Sequence, residues 1–200
     1  MIAIIDYGAG NIFSVKNALE YLDVPCVLTS DKSEVENADG IILPGVGAFP
    51  AAMEKLNNSG LVDTIRAEAV KKPFLGICLG MQMIFAKGYE FEECDGLSLI
   101  DGTVELMTPE GLDIPQIGWN VLIKNHECPL MQGLGDDEYV YFVHSYSVHC
   151  PDENVAAFTD YGGKVTALVQ KGNVYGAQFH PEKSGDVGLR ILRNFAALLK

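Results

Sequence analysis

The chain has 200 residues, 48% of them hydrophobic and 20% charged, which fits one globular domain over residues 1–200 with a substantial core. Its formal net charge of −13 argues against a nucleic acid or an anionic membrane as partner, because either would need clustered Lys and Arg. Five cysteines without C-x-x-C spacing, and no histidine pair completing a ligand pattern, lead us to expect no metal. We also expect no cofactor.

Residues 1–6 have no basic segment and only a short apolar run, unlike a signal peptide. We find no stretch long and apolar enough to span a bilayer. Free thiols without an export signal predict the reducing cytoplasm.

The first half of the chain predicts alternating strands and helices. Apolar runs predict strands at 2–5, 26–29, 41–43 and 74–77, and periodic segments predict helices after residue 11, near 51–57 and at 61–71, with a short polar helix before residue 41. This rhythm predicts an α/β fold of flavodoxin-like, three-layer type, with a mostly parallel central sheet and helices on both faces.

The second half predicts an antiparallel section on the edge of that sheet. An acidic loop at 89–95 precedes predicted strands at 103–107, 117–123 and 139–149, the last read as one long strand. Residues 165–170 and 174–179 flank Lys171-Gly172-Asn173, which is typical of a hairpin. A final helix over 186–199 is expected to bury Val187, Ile191, Phe195 and Leu198.

Cys78 lies where the predicted strand 74–77 meets a helix beginning at Leu79. Glycines stand two residues away on each side, at Gly76 and Gly80. This is the thiol version of the G-x-S-x-G elbow, in which a sharp turn lifts the nucleophile above the sheet and side chains at the glycine positions would clash. Backbone N–H groups at a helix N-terminus also favour a thiolate. The pattern predicts a catalytic cysteine, with a buried structural cysteine as the alternative.

A thiol nucleophile needs a base, and His180 is the best candidate of the four histidines. It ends an apolar strand and is followed by Pro181 and Glu182. Proline pushes the preceding residue toward an extended conformation, in which residues two apart point the same way. The sequence therefore predicts a Cys78, His180 and Glu182 triad. His144 and His149, five apart in the predicted long strand, are expected to face opposite sides, with His144 in a structural role.

Acyl transfer also needs N–H donors for the oxyanion. The N–H of Leu79, directly after the nucleophile, is one candidate. The loop at 44–47 can supply a second, because it ends a strand that we place beside the Cys78 strand.

Residues 76–82 and 180–182 match the two catalytic motifs of the triad-type glutamine amidotransferases, and the chain resembles that family almost from end to end. Further matching stretches resemble those of family members that supply ammonia for histidine biosynthesis. These stretches are residues 6–11, 44–47, 118–120, 141–146 and 178–184.

The resemblance implies that Cys78 attacks the carboxamide of glutamine while His180 shuttles protons and Glu182 orients it. It implies an oxyanion hole completed by the Gly45–Val46 peptide, and substrate contacts from Gly47, Gln82, Ser145 and Tyr146. It also implies a heterodimer with a (βα)8-barrel cyclase, which uses the ammonia to make imidazole glycerol phosphate and an aminoimidazole carboxamide ribonucleotide. The residues expected at that interface are Asn11, Trp119, Tyr141 and Lys183.

Three other interpretations stay open on the residues alone. The chain could serve another biosynthetic amidotransferase, such as those of anthranilate, pyridoxal phosphate or guanylate synthesis. It could be a stand-alone cysteine hydrolase with the same elbow. It could also be a flavodoxin-like interaction domain in which Cys78 is structural.

Overall fold

The computed structural model describes residues 1–199. The strands are β1 (Ile2–Ile5), β2 (Cys26–Thr29), β3 (Gly40–Gly45), β4 (Phe74–Cys78), β5 (Phe85–Gly88), β6 (Cys94–Asp95), β7 (Ile100–Leu106), β8 (Gln116–Val121), β9 (Ile123–Lys124), β10 (Tyr139–His144), β11 (Tyr146–His149), β12 (Val155–Asp160), β13 (Lys164–Lys171) and β14 (Val174–Ala177). The helices are α1 (Ile12–Tyr21), α2 (Lys32–Asn37), α3 (Phe49–Ser59), α4 (Val62–Ala69), α5 (Leu79–Met83) and α6 (Gly185–Ala196). Within residues 1–199, no helix combines the length and apolarity that crossing a membrane requires.

The centre of the fold is an eight-stranded sheet with the order β2-β1-β3-β4-β14-β13-β12-β9. Its first five strands are parallel, and β13, β12 and β9 extend it antiparallel. The predicted mostly parallel sheet with an added antiparallel section is therefore confirmed. The hairpin at 171–173 is confirmed as well, since β13 pairs antiparallel with β14.

Helices cover both faces of this sheet. Along β1, Ile2 and Ile4 pack with one core cluster, which includes α1 and α6, whereas Ala3 and Ile5 pack with the other, which includes α2, α3 and α4. This alternation is the period of two that a strand imposes on its side chains. The predicted three-layer arrangement is confirmed.

The predicted long strand at 139–149 is wrong. β10 ends at His144 and pairs with β8 in a separate two-stranded sheet, whereas β11 begins at Tyr146 and pairs with β7 in a four-stranded sheet. The alternation of the sequence continues on both sides of Ser145, so the sequence pattern does not mark the end of β10. The change of sheet comes from pairing partners that are distant in sequence. His144 and His149 consequently lie in different strands, the first buried and the second exposed.

Other boundaries also differ from the expectations. α5 has only five residues, and the apolar segment after it forms β5, which was not predicted. The predicted strand 117–123 divides at Leu122 into β8 and β9, in different sheets. α6 ends at Ala196, with Ile191 and Phe195 fully buried and Val187 and Leu198 partly buried.

Candidate active site

Three neighbouring strands of the central sheet bring the candidate catalytic segments together. β4 lies between β3 and β14, with Gly45 opposite Cys78 and Ala177 opposite Ile77. Because all three strands are parallel, their carboxyl ends meet at one edge of the sheet. The loop at 44–47, Cys78 and the segment leading to His180 therefore converge there.

Cys78 occupies a strained turn between β4 and α5. Its φ of 56° and ψ of −114° are uncommon for a residue with a side chain. A Cβ added at Gly76 would lie 2.5 Å from the Gly80 carbonyl oxygen, and one added at Gly80 would lie 1.9 Å from the Leu43 carbonyl oxygen. Both contacts are with backbone, so the predicted need for glycine at these two positions is confirmed.

His180 and Glu182 form a buried pair. His180 Nδ1 lies 2.7 Å from Glu182 Oε1, and the two side chains are only 3% and 1% exposed. The expected extended geometry is only half correct, because His180 is extended but Pro181–Lys183 is a 3₁₀ turn. The turn still directs the carboxylate at the ring, so Nδ1–H donates to Glu182 and Nε2 is left for the thiol.

The pKa of His180 reflects this environment. Burial disfavours protonation of the ring, but hydrogen bonds and charge from Cys78 and Glu182 outweigh burial and raise the pKa of His180 to about 9. A protonated imidazole held beside a cysteine is the electrostatic arrangement of an activated thiol.

A cavity of about 380 Å³ opens beside Cys78 and His180. The predicted residues that line it are Val46, Gly47, Leu79, Gln82, Ser145 and Tyr146, joined by Lys183. Gly45 directly precedes the lining residue Val46 and packs so closely on α5 that a Cβ there would be 2.6 Å from the Gly80 nitrogen. The structure thus gathers the predicted catalytic, oxyanion and substrate residues around one cavity.

Two polar residues of this cavity were missed at the sequence level. Glu90, from the predicted acidic loop, lines the cavity, and its Oε2 accepts the Phe49 N–H at the start of α3 at 2.7 Å. His144, expected to be structural, also lines it, and its Nδ1–H donates to the Tyr146 carbonyl at 2.8 Å. Burial lowers the pKa of His144 to about 4, which keeps this ring neutral. No local pattern marks either residue, since both reach the cavity through long-range packing.

Three of the four predicted interface residues, Asn11, Tyr141 and Lys183, lie beside His180, and the fourth packs on Tyr141. Asn11 shares a small crevice with Val46, His180 and Glu182. Trp119 on β8 is 52% exposed, and its ring packs edge-on against that of Tyr141 on β10, with centroids 5.9 Å apart. The Tyr141 carbonyl accepts the His180 N–H at 2.9 Å. Trp119 is therefore a surface aromatic beside the site rather than a core residue.

Comparison with known proteins gives matches over nearly the whole chain. The family model described as glutamine amidotransferase class-I matches residues 3–198. Imidazole glycerol phosphate synthase subunit HisH from Bacillus thuringiensis (strain Al Hakam) is 52% identical over 202 residues, covering 100% of this chain and 96% of that protein.

Solved structures give the same fold at lower identity. A structure described as a glutamine amidotransferase has a TM-score of 0.78 at 21% identity, covering 99% of this chain and 98% of that chain. The structure of PurLQS from Thermotoga maritima has a TM-score of 0.77 at 22% identity, covering 100% and 98%. At these identities the two structures support the fold alone.

Proposed function

This chain belongs to the class-I glutamine amidotransferase family, and we propose that it is the glutaminase subunit of an imidazole glycerol phosphate synthase. The observation that carries the proposal is the buried His180–Glu182 pair at the Cys78 elbow, in a chain 52% identical over its length to a subunit of that synthase. We further propose that residues 1–200 form one glutaminase domain that acts in the cytoplasm, without a metal or a cofactor.

In the proposed reaction Cys78 attacks the side-chain carboxamide carbon of glutamine. The C–N bond breaks, His180 gives a proton to the leaving nitrogen, and a γ-glutamyl thioester and ammonia result. Water then attacks the thioester as His180 takes its proton. The C–S bond breaks, the proton passes from His180 to the leaving sulfur, and glutamate is released with the thiol restored. Glu182 holds the imidazole in the orientation that both steps need.

The oxyanion of both steps would be held by the N–H of Leu79 and by the Gly45–Val46 peptide. Leu79 and Val46 line the cavity, and Gly45 pairs with Cys78 across β3 and β4. We expect the Gly45–Val46 peptide to reorient so that its N–H faces the oxyanion.

Substrate glutamine would lie in the cavity against Gly47, Gln82, Ser145 and Tyr146. The Glu90 carboxylate on the cavity wall suits the α-ammonium group of an amino acid. Gln82 is buried, and its Nε2 donates to the Tyr146 carbonyl at 3.1 Å. These contacts would tie one wall of the cavity to the helix that follows Cys78.

Ammonia is a nucleophile only while unprotonated, and in neutral water it is mostly ammonium. A sheltered path to a second active site is therefore needed, which we place on a (βα)8-barrel cyclase bound as a heterodimer. That partner would make imidazole glycerol phosphate and an aminoimidazole carboxamide ribonucleotide in histidine biosynthesis. Asn11, Trp119, Tyr141 and Lys183 are the proposed contacts.

The decisive experiment is a glutaminase assay on this chain mixed with the cyclase, with and without the acceptor nucleotide. We expect the cyclase and the acceptor nucleotide each to stimulate glutaminase activity strongly. Cys78→Ala should abolish this activity, whereas Cys94→Ala, which changes a cysteine outside the cavity, should leave it unchanged. Stimulation by a different synthase partner, or full turnover of the isolated chain, would refute the assignment. Activity retained in Cys78→Ala would refute the mechanism.

A further inference from the structure

We propose that Gln178 is a positioning residue for the nucleophile, with its side-chain amide bridging the Cys78 sulfur and Gln82. This inference rests on the proposed function, because it concerns the same thiol. Gln178 is 0% exposed and directly follows β14. Its N–H donates to the Ala167 carbonyl of β13 at 2.9 Å, so its backbone is held by the sheet.

The bridge consists of two contacts between buried side chains and one to the backbone of the partly buried Tyr146. Gln178 Nε2 lies 3.9 Å from Cys78 Sγ, within the longer range that sulfur acceptors allow. Gln178 Oε1 accepts from Gln82 Nε2 at 3.0 Å, and the same Gln82 nitrogen donates to the Tyr146 carbonyl at 3.1 Å. A continuous chain of contacts thus joins the sulfur to the cavity wall.

The orientation of both amides follows from this chain. A carbonyl oxygen can only accept, so Gln82 must turn its NH2 group toward Tyr146. The second hydrogen of that NH2 group faces Gln178, which must therefore present its oxygen. The NH2 group of Gln178 is left facing the sulfur.

An N–H donor at this position favours the anionic form of the thiol. Sulfur accepts a hydrogen bond more strongly as thiolate than as thiol, because the bond becomes charge-assisted. Gln178 and His180 are two residues apart in one segment of chain, and His180 lines the same cavity as Cys78. We infer that His180 moves protons, whereas Gln178 fixes the sulfur and increases its thiolate fraction.

The test follows alkylation of Cys78 by iodoacetamide across pH in the purified chain without a partner, with the modified peptide quantified by mass spectrometry. In Gln178→Met, which keeps the size but loses the donor, we expect alkylation to slow about tenfold at pH 6 and its half-maximal point to move to higher pH. The kcat of glutamine hydrolysis should fall at least tenfold. Gln170→Met, on β13 and outside the cavity, is the matched control and should change neither quantity.

Gln178→Glu provides a second variant of nearly the same shape if the methionine protein fails to fold. A carboxylate cannot donate to the sulfur and places negative charge beside it. The pH of half-maximal alkylation should therefore rise further than in the methionine variant. A folded variant with an unchanged alkylation profile and kcat would overturn the positioning role. If wild-type protein lacks glutaminase activity, the proposed function fails, while the alkylation profile still decides whether Gln178 acts on the sulfur.

Discussion

Single residues at the elbow decide whether strand and helix can cross. Gly80 packs against the Leu43 carbonyl of the neighbouring strand, where an added Cβ would lie 1.9 Å from oxygen. Neither the Gly80 α-carbon nor the Leu43 carbonyl can rotate away, because both belong to the backbone. The tightness of this crossing holds Cys78 in its strained turn.

We predict that Gly80→Ala destabilises the chain by about 3 kcal/mol or more, since backbone must shift to accept the methyl group. The free energy of unfolding from urea titration measures this. Gly135→Ala is the control, because its Cβ would meet nothing closer than the flexible Glu138 side chain at 3.4 Å. Equal, small effects of the two substitutions would contradict the packing argument.

The raised pKa of His180 predicts how stability varies with pH. The pKa is about 9 in the folded chain against 6.5 for an ordinary histidine, so the folded state binds the proton more tightly. This contribution is fully present below pH 6.5 and is lost as pH rises to about 9. Wild-type protein should therefore lose stability over this window.

Glu182→Gln should reduce the loss of stability between pH 6.5 and 9, because the neutral amide no longer stabilises the His180 imidazolium. The same variant should lower kcat by about 10²- to 10⁴-fold. Urea titrations between pH 6 and 9.5 and the glutaminase assay check the two effects. An identical pH dependence of stability in the variant would show that Glu182 does not set the His180 pKa.

At the scale of elements, the buried Ser184 joins β10 to the histidine segment. The Tyr141 N–H donates to Ser184 Oγ at 3.0 Å, and that hydroxyl donates to the His180 carbonyl at 2.6 Å. With the bond from the His180 N–H to the Tyr141 carbonyl, this makes a closed ring between a strand of the proposed partner surface and the proposed catalytic base.

Ser184→Ala leaves one N–H and one carbonyl without this partner, so we expect a loss of about 1–3 kcal/mol in unfolding free energy. Partner-stimulated glutaminase activity should fall with it, because the base is held less firmly. Ser59→Ala removes a hydroxyl that donates to Leu56 in α3 and accepts the Leu61 N–H before α4, far from His180 in sequence, and activity should be unchanged. Full stimulation in Ser184→Ala would argue against the ring as a support for His180.

Elements were predictable where local chemistry defines them. The β1 and β2 boundaries match the apolar runs at 2–5 and 26–29, and the elbow is marked by the two glycines around Cys78. The break at Ser145 and the short length of α5 were not predictable, because both depend on which distant strands offer hydrogen bonds. The glutamine and carboxylate contacts of Gln178 and Glu90 were missed for the same reason.

At the scale of the whole molecule, an aromatic pair made of the exposed Trp119 and the partly buried Tyr141 adjoins the active site. Trp119 and Tyr141 lie on the separate two-stranded sheet of β8 and β10, beside the His180 segment. A half-exposed Trp at the edge of a functional cavity is the kind of residue that dominates binding energy at interfaces. Its role here is predicted to be partner binding rather than stability.

Trp119→Ala should weaken binding of the cyclase by about 30-fold or more, while the unfolding free energy of the isolated chain stays within about 0.5 kcal/mol of wild type. Calorimetric titration and urea denaturation measure these quantities. Tyr21→Ala, at the far end of α1 and 76% exposed, is the control and should leave affinity unchanged. Unaltered affinity in Trp119→Ala would remove this surface from the interface.

The strand order has a consequence for how the protein is made. β14 pairs with β4 in the middle of the sheet, yet almost a hundred residues separate them along the chain. As the chain leaves the ribosome, the thiol at the elbow emerges long before the imidazole that would activate it. Unfinished chains thus lack the pair that we propose activates Cys78, and the proposed triad is assembled only when the last strand, β14, is inserted.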